Sequence, residues 1–82
     1  MKLVIATWND AEDPSTGQTW LNAEEVEQFS THDCVVHSVG FVKSHTEKYL
    51  TLVGDEIPET ESYSRTTKIP TAMIVSIETV KE

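Results

Sequence analysis

His32, Asp33, Cys34 and His37 are where metal-ligating and nucleophilic side chains crowd together in this 82-residue chain. As zinc ligands they would have to converge on a tetrahedral centre, but H-D-C-x-x-H matches no zinc spacing. On an extended chain, neighbouring side chains also point to opposite faces, which separates them. Cys34 could act as a nucleophile with His32 or His37 as its base. A free cysteine entering a strand, however, reads as a small apolar filler. His45 reads as a solvated turn residue. No G-x-S-x-G, P-loop, G-x-G-x-x-G or H-E-x-x-H occurs. The carboxylates of Glu24, Glu25 and Glu27, and those from Asp55 to Glu61, read as a solvated helix face and a loop rather than acid–base pairs. The expectation is a protein without catalytic residues, metal or cofactor.

Binding chemistry has better candidates. Trp8 and Trp20 each offer a stacking face and one N–H donor. Lys43, Lys48, Arg65 and Lys68 make up four of the six basic residues and cluster in two neighbouring segments. A ligand site would use Trp8 or Trp20 against a base, with Arg65 and Lys68 on phosphate. The competing readings are core packing for Trp8, a cap on the fold for Trp20, and solvated pairs of the cations with Glu47, Glu59 or Glu61.

Fourteen acidic residues against six basic ones give a net charge of −8. That opposes binding to nucleic acid or anionic membranes through basic patches. It fits solubility, or an acidic surface that binds a basic protein or imitates nucleic acid. A single cysteine excludes an internal disulfide and suggests a reducing cytoplasm. The apolar runs Leu3–Ala6 and Ala72–Val75 fall far short of the ~20 residues that span a bilayer. Leu3–Ala6 is also shorter than the roughly 7–15 residues of a signal-peptide core. A cytoplasmic protein of one domain, residues 1–82, is expected, with neither membrane association nor cleavable signal.

The elements that would position these residues are mostly strands. K-L-V-I-A-T-W, Lys2–Trp8, is apolar on both faces, as a strand covered on both sides or facing a partner subunit would be. Asn9–Thr19 reads as a loop with a turn at Asp13–Gly17. A short helix over about 23–29 has Asn22 as N-cap and Glu25 completing a capping box. Leu21 and Val26 could staple its start, with Val26 and Phe29 pinning it to the sheet. Cys34–Ser44 is a long strand in which Val35, His37, Val39 and Phe41 form the more apolar, and so expected core, face. Gly40 inside it would serve a bend, a bulge or a close backbone approach, and a sharp bend that lets the long strand take part in both sheets of a barrel is the one expected. His45–Lys48 closes a hairpin into a third strand. Gly54–Ser64, with Pro58 and its carboxylates, is expected to be an irregular, mobile loop able to close over a site. A fourth strand starts near Arg65 and breaks at Ile69-Pro70, and Ala72–Val80 is the last. Because Met73, Val75 and Ile77 oppose Ala72, Ile74 and Val80, the last strand is apolar on both faces and suggests a homo-oligomer.

The expected fold is mainly β: a small, strongly bent barrel of about five strands with one short helix. Gly40, Val42, Thr46, Tyr49 and Leu52 resemble a degenerate first Sm motif, and I-P-T-A-M-I-V-S-I, Ile69–Ile77, occupies the place of the second. The resemblance implies an Sm-like or SH3-like barrel. Leu50 follows Tyr49, and Pro70-Thr71 stand where a basic pair would sit, so the RNA-contacting residues of that family do not carry over. T-W-N-D-A (Thr7–Ala11), Trp20, V-G-F (Val39–Phe41), Y-L-T-L, I-P and the terminal I-x-x-I also resemble small tailed-phage accessory proteins. This second resemblance implies binding rather than catalysis, counter-defence as one role, and the host cytoplasm as location. The sequence thus points to sequestration of a small nucleotide-like ligand at a subunit junction, or to an acidic module that binds a host protein.

Overall fold

The β-branched and aromatic opening run forms β1 (Leu3–Asp10), two residues longer at its end than its apolar pattern. The computed structural model describes residues 1–11 and 20–80, so the Asp13–Gly17 turn lies outside the described residues. After α1 (Ala23–Ser30) come β2 (Cys34–His45), β3 (Tyr49–Val53), β4 (Asp55–Ile57), β5 (Ser62–Ser64) and β6 (Thr67–Pro70). A 3-10 turn (Thr71–Met73) leads into β7 (Ile74–Thr79). Five strands make one antiparallel sheet in the order β6-β3-β2-β1-β7, and β4 pairs with β5 in a separate ribbon.

The order of strands forces curvature. Laid flat, β6 and β7 would lie four strand spacings apart, about 19 Å. The 3-10 turn joins them in four residue steps, about 8 Å at 2 Å per residue. The sheet therefore curls until its edges nearly meet. It does not close: β6 and β7 are the two ends of the ladder, so the continuous barrel expected from the sequence is not formed. Two bulge-like register shifts help the curl, at Thr7/Trp8 opposite β7 and between Val42 and Ser44 opposite β3.

The inner face of the curl holds the core. Val4, Ala6, Leu50, Leu52 and Ile69 form one buried cluster, with Trp8, Val42 and Ile74 packed against it. Which face of β2 turns inward reverses the expectation. Register places Val36, Ser38 and Gly40 beside Trp8, Ala6 and Val4, whereas Val39 and Phe41 sit beside Ile5 and Leu3 on the outside. Val39 is 63% and Val35 54% exposed. Small residues decide the outcome. A Cβ on Gly40 would lie 3.1 Å from the Leu52 Cβ and 3.1 Å from the Val53 carbonyl oxygen, so only glycine lets β3 approach this closely. Ser38 accepts the Trp8 indole N–H at 3.0 Å. A close approach to β3, rather than the sharp bend expected there, is what Gly40 is seen to serve, and the nearby bulge falls after Val42.

Local signals set α1 correctly to within a residue. Asn22 Oδ1 accepts the Glu25 N–H at 2.8 Å and Glu25 Oε1 accepts the Asn22 N–H at 3.2 Å. The expected pinning fails, however: α1 buries none of its residues, and Val26 is 48% exposed. Such a short helix gains little stability without tertiary packing.

The acidic segment is ordered, against expectation. β4 and β5 pair in register, Asp55 with Ser64 and Ile57 with Ser62. Pro58 falls in the connecting turn, where its missing N–H removes no ladder bond, and Glu61 supplies a positive φ of 52°.

Candidate functional site

Arg65, Asp55, Lys43 and Tyr63 gather where the β4–β5 ribbon leaves the sheet. Arg65 follows β5 with φ 52° and lies flat across Gly54. A Cβ at Gly54 would be 2.8 Å from Arg65 Nε and 3.0 Å from its Cβ, so any other residue there would push the arginine side chain aside. The guanidinium donates from Nε to Asp55 Oδ2 at 2.8 Å and from Nη2 to Asp55 Oδ1 at 3.0 Å. Ser64 Oγ also donates to Asp55 Oδ2 at 2.8 Å, and Gly54 N–H donates to the Ser64 carbonyl at 3.0 Å. Beside this knot, Lys43 Nζ donates to Tyr63 Oη at 2.8 Å and stands 4.4 Å from the centre of its ring. Arg65 and Lys43 therefore join the ribbon to the sheet's rim.

These bonds set the charge states. The Arg65 guanidinium, and then the Ser64 hydroxyl, hold the Asp55 carboxyl below its ordinary value of 3.8. The Tyr63 hydroxyl chiefly raises Lys43 above 10.5. Because the Asp55 value is depressed by folding, its contribution is present above about pH 4 and is lost as pH falls through the lower folded value. The pair is exposed, so the global effect is small. Acidification below pH 4 is therefore expected to shift the amide resonances of Gly54 and Ser64 together while those of β1 stay fixed, as a two-dimensional NMR titration would show.

Next to Arg65 an open cleft of about 330 Å³ is lined by Leu3, Val39, Gly40, Phe41, Gly54, Arg65 and Thr67. Its walls come from the outward side of β1 and β2, so it combines apolar surface with one guanidinium. A cleft of this size lies at the lower end of the range for small-molecule sites, about 300–1,000 Å³.

Of the four residues singled out for ligand binding, only Arg65 lines this cleft. Trp8 is partly buried on the inner side, its N–H engaged by Ser38. Trp20 is 86% exposed ahead of α1. Lys68 stands 4.6 Å from the centre of the Tyr49 ring, with β6 paired to β3 beneath it. These positions do not converge within one chain. His37 shares a 3.0 Å hydrogen bond between its Nδ1 and Thr7 Oγ1 on the outer face. Among the described residues, no three His, Cys, Asp or Glu side chains come close enough to hold a metal.

Sequence reasoning missed Gly54, Asp55 and Phe41 as parts of this region. Asp55 and Arg65 stand on either side of Pro58–Glu61 at hairpin spacing, which was a usable signal. It also missed a threonine clamp at the other end of β3. Thr46 Oγ1 accepts the N–H groups of Lys48 and Tyr49, and Thr71 donates to the Thr46 carbonyl from its hydroxyl and to the Lys48 carbonyl from its N–H. Among the described residues no helix is long and apolar enough to cross a membrane. No family model, curated protein or solved structure matches this chain.

Proposed function

We propose that this chain is a non-enzymatic accessory binding protein of the tailed-phage type, acting in the host cytoplasm as a homo-oligomer on an Sm-like or SH3-like half-barrel. Its function is capture, with counter-defence as the role, and the captured species is a small nucleotide-like ligand held at a subunit junction. The Arg65 cleft carries this reading, since it sets a guanidinium beside Phe41 and apolar walls on a face that the described residues leave open. A planar base can stack against such surfaces, and an adjoining copy would supply the missing wall. Calorimetry against cyclic nucleotides and ADP-ribose-type signals tests it. Binding at micromolar concentration, weakened about tenfold or more by Arg65→Ala, is expected from the loss of a charge-assisted contact. Absence of heat across the panel removes the small-ligand reading.

A second reading has its own support. Arg65 is already held by Asp55 through two hydrogen bonds, so an incoming phosphate must displace or share that partner. Exposed carboxylates lie on α1 and on the β4–β5 ribbon. They suit an acidic module that binds a basic host protein. Binding that weakens steeply between low and high salt would favour this reading, because surface charge pairs are screened within about 10 Å at 0.1 M salt.

A further inference from the structure

From the geometry we infer that the Arg65 cleft takes a neutral planar ring with an acceptor on its edge, a nucleobase or nucleoside, and that Asp55 keeps phosphate out of it. This rests on the capture reading above and names the part of the ligand that the cleft holds. It departs from the expectation that Arg65 meets phosphate.

The guanidinium already has its anion. Asp55 accepts from Nε at 2.8 Å and from Nη2 at 3.0 Å, the paired geometry that a phosphate would otherwise use. The same carboxylate accepts the Ser64 hydroxyl at 2.8 Å, so it is held from two sides. Arg65, and then Ser64, keep its carboxyl below the ordinary value of 3.8, so it is ionised at neutral pH. Arg65 and Asp55 together therefore carry no net charge. What the arginine still offers is its Nη1 amine, without a partner among the described residues, and the flat faces of the guanidinium. Those suit a ring stacked on the plane or an acceptor met end-on.

The surroundings favour the same class. Leu3, Val39 and Phe41 give the cleft apolar walls, and Arg65 is the one charged residue lining it among the described residues. Lys43 is engaged by Tyr63, and Lys68 stands against Tyr49 on β6. A phosphate at the free end of the guanidinium stands within the screening length of Asp55, about 10 Å at 0.1 M salt. Repulsion from that carboxylate offsets the attraction of the arginine, and Glu56 follows on the same strand. A phosphate that displaces Asp55 instead leaves two anions crowded at one cation. A neutral acceptor meets neither penalty, and it loses less hydration on entering apolar walls.

Calorimetry with the four common ribonucleosides and their 5′-monophosphates tests this, on the unaltered chain and on Asp55→Asn. Asparagine keeps an acceptor for the guanidinium and removes the charge. The expected result is a nucleoside that binds the unaltered chain within about threefold of its monophosphate, with little dependence on salt. Asp55→Asn is expected to shift the preference about fivefold toward the monophosphate. A monophosphate preference of tenfold or more in the unaltered chain overturns the inference while capture stands, as does a preference that Asp55→Asn leaves unchanged. Heat from nucleotides alone does the same. No heat from nucleosides, monophosphates or the cyclic and ADP-ribose panel removes the capture reading and this inference with it. Should Asp55→Asn not fold, the comparison on the unaltered chain decides. Two-dimensional NMR locates the ligand: shifts at Gly40, Gly54 and Thr67 support the cleft, and binding that leaves them unmoved overturns it.

Discussion

Replacing Leu50 with alanine is expected to cost about 3 kcal/mol and to lower the melting temperature by roughly 12–24 °C. Leu50 is fully buried, paired between His45 of β2 and Ile69 of β6, and belongs to the cluster that also holds Val4, Ala6 and Leu52. The cavity left by its truncation is bounded by backbone held in ladders on both sides, so collapse around it is limited. A chain of 82 residues has total stability on the order of 4–12 kcal/mol, which makes such a loss a large fraction of the whole. Thermal and denaturant unfolding would measure it. Ile57→Ala provides the comparison, since Ile57 is largely exposed on the ribbon and its loss is expected to stay within about 0.5 kcal/mol. Equal losses at the two positions would mean that the core is not where the cluster places it.

The second large effect belongs to Gly40. Gly40→Val is expected to destabilise by about 2–3 kcal/mol, and Gly40→Ala by about 1 kcal/mol. Alanine would ordinarily gain about 0.5–1 kcal/mol over glycine in a strand interior, so a loss at this site measures crowding. The crowding is specific. The added Cβ meets Leu52 Cβ and the Val53 carbonyl, both anchored in a buried strand, while Val4 of β1 pairs on the other side. β2 is therefore held between two neighbours and cannot move away from the contact. Equilibrium unfolding of both variants is the measurement, and stabilisation by Gly40→Ala would show that β3 has room to yield.

The sequence made the local features legible and left the long-range ones hidden. Asn22 and Glu25 lie three residues apart and determine the start of α1 between themselves, so the capping box could be read directly. Gly40 stood out as a glycine inside an apolar strand, but the use expected of it was a sharp bend, and its close approach to β3 depends on a strand that the sequence does not place beside it. The choice of inner face on β2 was not legible. Apolarity favoured Val35, Val39 and Phe41, but fit against Trp8 and Leu52 favoured Ser38 and Gly40, and fit depends on strands distant in sequence. The same limit hid the β4–β5 ribbon. Its order comes from the Asp55–Arg65 and Lys43–Tyr63 bonds, and its positive φ angles fall on Glu61 and Arg65 rather than on glycine. For the site, Arg65 was legible as an unusual cation in an acidic chain. That it would lie across Gly54 beside Phe41, with Trp8 turned inward, required the sheet's curl.

The proposed capture site needs an adjoining copy of the chain to supply its missing wall. Mass in solution tests this most directly, by light scattering on the unaltered protein at micromolar concentration and physiological salt. About twice 9.2 kDa is the expected result, rising in population with concentration and with salt as the −8 charges are screened. A constant mass of 9.2 kDa up to 100 µM, with the chain fully folded, would contradict it.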